Sequence, residues 1–111
     1  MIEDRVEIHD NTCICRAVMG STIIRENAKI DNLVHIAHGV EIGKNSLVIA
    51  NAMIAGSAKI GENCWIAPSA SILNQLEIGD DSIVGMGAVV LKSAPKNSKL
   101  VGNPSRNLSN L

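Results

Sequence analysis

Three histidines, three cysteines and a scatter of carboxylates carry the chemistry this chain can do. Neutral imidazole, with a pKa near ~6.5, accepts a proton at pH 7, which makes His9, His35 and His38 the candidate general bases. Cys13 and Cys15 stand two apart and invite a metal or redox reading. Strand alternation would put both on the face opposite Ile14, yet a zinc site needs further ligands and the sequence places none nearby. The third cysteine, Cys64, makes the count odd and leaves no disulfide framework. No metal is expected. Asp31 lies seven residues before His38, and Gly56 follows His38 by eighteen. What those intervals mean depends on the elements that carry the residues.

The elements are set by a repeat. Starting at Val18 and stepping by six, the chain reads Val18, Ile24, Ile30, Ile36, Ile42, Val48, Ile54, Ile60, Ile66, Ile72, Ile78, Val84 and Val90. A second phase, offset by four, covers Ile2, Ile8 and Ile14. Four places after each of these stands a mostly small residue, among them Thr22, Ala28, Ser46, Ala52, Ala58, Cys64, Ala70, Ser82 and Ala88. Neither a helical period of 3.6 nor simple alternation holds a six-residue phase. A triangular solenoid does. Each hexad forms one short strand and a corner, and three hexads close an eighteen-residue coil. The Ile points inward, the small residue fits the inner corner, and Gly or Asn (Asn27, Asn45, Asn63) takes the turn with positive φ.

The composition agrees with a narrow, repetitive core. Hydrophobic residues make up 46% of the 111, yet Phe and Tyr are absent and Trp65 is the one aromatic. Burying an Ile or Val contributes about 1.5–3 kcal/mol, so a ladder of sixteen suffices without aromatic bulk. One domain spans 1–111, with the solenoid at 2–94 and a C-terminal tail at 95–111. The break in phase after Ile14 reads as a bulge or loop in Cys15-Arg16-Ala17-Val18-Met19-Gly20.

Charge is balanced, Lys+Arg 10 against Asp+Glu 11, so no basic stripe or aromatic platform marks a nucleic-acid surface. No apolar run is long enough for a membrane-spanning helix, and no signal peptide is evident; the cytoplasm is the expected location.

The pattern [Ile/Val]-[Gly/Ala]-x-x-[small]-x, running over about four-fifths of the chain, resembles the hexapeptide-repeat acyltransferase superfamily. The segment through Ile36-Ala37-His38-Gly39-Val40 looks like UDP-acyl-glucosamine N-acyltransferase of lipid A synthesis. Ile83-Val84-Gly85-Met86-Gly87-Ala88 and Val101-Gly102-Asn103-Pro104-Ser105-Arg106 look more like the sugar O- and N-acetyltransferases. The resemblance implies an all-β fold, a single-stranded left-handed parallel β-helix of about five coils, assembled as a homotrimer. It implies transfer of an acetyl group from acetyl-CoA to a hydroxyl or amine of a sugar or nucleotide-linked sugar, in cell-surface polysaccharide synthesis. Departures argue for a short acetyltransferase over the lipid A enzyme. A uridine-binding domain and a helical extension are not among these residues, a second family His is Gln75, and the Asp expected before Arg16 is Cys15. The Glu that follows the base in some acetyltransferases is Gly39.

Acyl transfer from a thioester needs a base for the acceptor and donors for the developing oxyanion. The resemblance makes His38 that base, the alternative being a solvated corner histidine. Asp31 matches a family carboxylate that pairs with the base, or is an ordinary turn aspartate. Gly56, one coil beyond His38, offers a backbone N–H for the oxyanion, or is a plain corner glycine. Asn74, Lys92, Gly102 and Arg106 are the candidate CoA contacts, since phosphates favour N–H groups and cations. His35 is expected at solvent or a neighbouring subunit, and His9, in the first coil and away from the others, has no role. The pocket is expected between adjacent subunits, because a single prism offers little concavity. Acyl carrier protein as donor, a γ-carbonic-anhydrase-like zinc enzyme and a structural solenoid are the competing readings. The histidine spacing does not fit the second, and Thr12 and Thr22 alone do not make the threonine ladders of an ice-binding prism.

Overall fold

A computed structural model describes residues 1–15 and 22–110. Strands of two residues, each ending on the inward Ile or Val, recur at every turn of the chain. The first coil holds β1 (Glu7–Ile8) and β2 (Cys13–Ile14). The second holds β3 (Ile23–Ile24), β4 (Lys29–Ile30) and β5 (His35–Ile36). The third holds β6 (Glu41–Ile42), β7 (Leu47–Val48) and β8 (Met53–Ile54). The fourth holds β9 (Lys59–Ile60), β10 (Trp65–Ile66) and β11 (Ser71–Ile72). The fifth holds β12 (Glu77–Ile78), β13 (Ile83–Val84) and β14 (Val89–Val90). Then come β15 (Lys99–Val101), β16 (Arg106–Asn107) and a single 3-10 turn, Leu108–Asn110.

These strands stack into three faces of a solenoid of about five turns. One face runs β1-β4-β7-β10-β13-β15-β16, the second β2-β5-β8-β11-β14, and the third β3-β6-β9-β12. Among the described residues, all strand pairings are parallel except β15 with β16. In the middle coils the register is eighteen, as in Ile24↔Ile42↔Ile60. It is twenty-two at the start, where Ile8 pairs with Ile30 and Cys13 with His35. The four additional residues fall between Ile14 and Ile23. The loop expected at Cys15–Gly20 lies, apart from Cys15, outside the described residues. At the other end the register is sixteen, Ile83 pairing with Lys99. The parallel ladder thus passes the expected boundary at residue 94: Ala94 bridges Ile78, and β15 adds a further rung.

The inward ladder is dry. Ile24, Ile36, Ile54, Ile66 and Ile72 are fully buried, and the small residues beside them, Ala28, Ala58, Ala70 and Ala88, are buried too. Ile2 and Ile8, in the first coil described, are 54% and 37% exposed. At one inner corner the column reads Ser46, Cys64, Ser82 and Ser98, all buried. Their polar atoms are satisfied along the column; Ser46 Oγ donates to Gly61 O at 2.7 Å and accepts from Cys64 N at 3.0 Å.

Turns place the third residue after the inward position in the left-handed region. Asn27, Asn45 and Asn63 sit there as expected, at φ of 62°, 59° and 55°. Gly43 and Gly61, directly after their Ile, do not have positive φ, so the expectation that they absorb turns is corrected. They permit close stacking instead, since a Cβ on Gly43 would lie 2.3 Å from Gly61 O. Among the described residues no helix is long and apolar enough to cross a membrane.

Candidate functional site

The corner that follows the five-stranded face carries four of the expected site residues in one column. His38, Gly56, Asn74 and Lys92 each stand two places past the inward residue of β5, β8, β11 and β14. The backbone fixes the stacking: Ser57 N donates to His38 O at 3.0 Å, and Gln75 N donates to Gly56 O at 2.9 Å. The His38 ring lies over Gly56, where an added Cβ would meet Cε1 at 3.2 Å and Nε2 at 3.3 Å. Glycine there leaves room for the edge of the imidazole against the next coil. Among the described residues nothing accepts the Gly56 N–H. His38 itself is exposed, and its turn is pinned where Gly39 N donates to Thr22 Oγ1 at 2.9 Å.

Lys92 and Arg106, fourteen positions apart in sequence, line one depression. It is shallow, about 280 Å³, and is bordered also by Pro95, Leu100 and Ser105, because β16 folds back on β15. Gly102 is not part of that depression; its carbonyl accepts from Val89 N at 2.9 Å on the five-stranded face.

Asp31 is not beside His38 within the chain. Its carboxylate lies 3.4 Å from His9 Nδ1 and accepts from Asn32 N at 2.8 Å. The reason is geometric: seven residues are one hexad plus one, which moves a side chain to the next corner of the prism. His9, expected to stand away from the other candidates, is therefore Asp31's neighbour. The twenty-two-residue opening register brings position 9 level with position 31.

The same register corrects the reading of the cysteines. Cys13 is the ladder partner of His35, and Cys15 Sγ is 3.9 Å from His35 Nε2. The donor atoms of Cys13, Cys15 and His35 all lie within 4.8 Å of one another, so a third metal-ligating group does stand near the pair. Adding the four-residue break to the eighteen-residue coil would have found it. Partial burial and the neighbouring Cys13 thiol push the Cys15 pKa up. Cys64 is buried as expected, and burial raises its pKa too.

Away from this corner, Arg25 is clamped between Glu3 and Glu41. Those two carboxylates raise its pKa, and the Glu26 N–H leads the groups that lower that of Glu3. On the seven-stranded face Leu47, Trp65 and Ile83 stand in register, 38%, 45% and 38% exposed. They form one apolar stripe across three coils.

Comparison with known proteins adds to this geometry. The family described as bacterial transferase hexapeptide (six repeats) matches residues 21–56 and 57–92. A UDP-3-O-acylglucosamine N-acyltransferase of Caulobacter sp. (strain K31) is 39% identical over 108 residues, 97% of this chain and 32% of that protein. One from Bacteroides thetaiotaomicron is 55% identical over 56 residues, 50% of this chain and 16% of that protein. The chain thus spans about a third or less of these relatives' length. Among solved structures, a UDP-N-acetylglucosamine acyltransferase of Arabidopsis superposes with a TM-score of 0.93 at 27% identity, over 96% of this chain and 38% of that one. A galactoside acetyltransferase in complex with coenzyme A has a TM-score of 0.80 at 24% identity, over 96% and 62%. That last likeness concerns the fold alone.

Proposed function

Because this chain belongs to the bacterial hexapeptide-repeat transferases, we propose that it transfers an acyl group from a thioester to the amine or hydroxyl of a sugar or nucleotide-linked sugar. The observation that carries this reading is the single corner on which His38, Gly56, Asn74 and Lys92 follow one another. His38 takes the proton of the acceptor as it attacks the thioester carbonyl. The Gly56 N–H, beside the imidazole and open to an acceptor, receives the oxyanion that forms on that carbon. Collapse expels the thiolate and leaves an amide or ester. From His38 to Lys92 is three coil spacings, about 14 Å at ~4.8 Å each, a span suited to an extended pantetheine arm. Lys92 and Arg106 then supply the cations for its phosphates.

The donor is acetyl-CoA in this reading, with no metal in the transfer step, and the protein works as a cytoplasmic homotrimer in polysaccharide synthesis. The stripe of Leu47, Trp65 and Ile83 supports the association, since an apolar patch of this kind favours burial against another copy. It also gives Asp31 a role. A threefold axis parallel to the prism keeps every residue at its height, and seven residues of an eighteen-residue coil climb only about 2 Å. Asp31, at the edge of the seven-stranded face, then reaches the imidazole of a neighbouring copy and fixes its tautomer. Carrier-protein-bound acyl groups are the second reading, favoured by identity to the UDP-3-O-acylglucosamine N-acyltransferases.

The test is thiol release from acetyl-CoA and from an acyl carrier protein thioester, against aminosugars and UDP-linked aminosugars, with wild type and His38→Ala. Release from one donor, reduced about 10²–10⁴-fold in the variant while donor binding persists, is the expected result. Release from neither donor, or an unimpaired variant, overturns the reading.

A further inference from the structure

On the five-stranded face, at its first rung, stands a donor set that acyl transfer leaves unused. Cys13 and Cys15 flank the inward Ile14, and His35 sits on the adjoining strand. We propose that Cys13, Cys15 and His35 bind a thiophilic metal ion of the zinc class, which clasps the first coil to the second.

The geometry is close to what such an ion needs. Zn–S bonds of about 2.3 Å and Zn–N bonds of about 2.0–2.1 Å at tetrahedral angles hold donors roughly 3.6–3.8 Å apart. Cys15 Sγ and His35 Nε2 already stand at 3.9 Å, and all three donors fall within 4.8 Å. Small side-chain rotations close the remaining gap. The backbone beneath is fixed, because Cys13 N donates to Val34 O at 2.9 Å and Cys15 N to Ile36 O at 2.8 Å. Two thiolates balance a dication, the imidazole adds a neutral donor, and a fourth position remains for water or an external ligand. Sulfur donors select against Mg²⁺ and Ca²⁺, which take oxygen.

The clasp has work to do. The first coil buries its inward residues least, with Ile2 and Ile8 54% and 37% exposed. A bond network joining β2 to β5 adds stability to their pairing, since an ion that binds the folded site favours folding. It also reaches the turn of His38. The Cys15 carbonyl accepts from Thr22 Oγ1 at 3.0 Å, and that hydroxyl accepts from Gly39 N.

The experiment titrates the full chain, reduced and freed of metal, with Co²⁺ and then Zn²⁺. One equivalent of cobalt should produce a thiolate-to-cobalt charge-transfer band in the near ultraviolet, and zinc should abolish it. Cys13→Ser, Cys15→Ser and His35→Gln should each weaken binding about tenfold or more. Cys64→Ser should leave it unchanged, because serine already fills that column at Ser46 and Ser82. The three ligand side chains point away from the core, so melting curves in chelator should match wild type. Hydrogen exchange over residues 7–14 should slow with Zn²⁺ while residues 41–90 stay as they were. Absence of the band at stoichiometric cobalt, or full affinity in His35→Gln, overturns the site. Binding without protection of residues 7–14 overturns the clasp.

Discussion

Gly56 and Gly61 lie five residues apart on successive corners, and replacing each by alanine should give opposite results. Neither has positive φ, so the backbone accepts alanine at both and only space decides. Removing a glycine restricts the unfolded chain and stabilises by about 0.4–1 kcal/mol. At Gly56 the new methyl meets the edge of the His38 ring at 3.2 and 3.3 Å. An exposed ring can turn aside, at about 0.5–1.5 kcal/mol for an off-rotamer side chain. The two terms nearly cancel, and Gly56→Ala should melt within about 1 kcal/mol of wild type. At Gly61 the methyl lands 2.4 Å from Asp80 Oδ1, 2.7 Å from Asp80 N and 2.9 Å from Gly79 C. The last two are backbone of the next coil and cannot turn aside. Overpacking of this kind costs about 1–3 kcal/mol. Gly61→Ala should therefore lose about 1–2 kcal/mol, some 4 °C or more of Tm. Activity should divide the other way. Displacing His38 by about 1 Å should lower turnover up to ~10²-fold in Gly56→Ala, while Gly61→Ala retains turnover below its melting temperature. Calorimetry with the thiol-release assay reads both. Equal melting of the two variants, or full turnover in Gly56→Ala, would refute the reasoning.

Leu33 is held at φ 57° and is 54% exposed, so Leu33→Asn should raise stability by up to about 1 kcal/mol, read as a higher Tm. Ile54 is fully buried between Ile36 and Ile72; Ile54→Ala should lose about 2–5 kcal/mol in urea unfolding, and Ile54→Val about 0.5–1.5. Glu3 is held below the usual glutamate range by the Glu26 N–H and then Arg25. A depressed pKa contributes stability above the unfolded value and loses it as pH falls through the folded one. The Tm of wild type should therefore drop more steeply below about pH 5 than that of Glu3→Gln.

The six-residue phase alone is enough to specify the solenoid, because one Ile or Val per hexad must face inward and only a closed three-sided coil lets all of them do so. The column of His38, Gly56, Asn74 and Lys92 follows from the same phase, since residues eighteen apart stack wherever the coil is unbroken. Cys64 was legible as core for the same reason. The breaks in phase were visible too, and carrying the first of them through the count would have named Cys13 and His35 as partners, which the repeat by itself does not. Four added residues near the start carry His9 to Asp31 and Cys13 to His35. Two fewer near the end let β15 take another rung and β16 bring Arg106 to the depression that Lys92 also lines. A linear pattern counts residues along the chain, whereas contacts form across it. Periodicity therefore names neighbours only while the count per coil holds. Where the count changes, and where Asp31 falls on a different corner from His38, the partners are decided by how the coils stack in space.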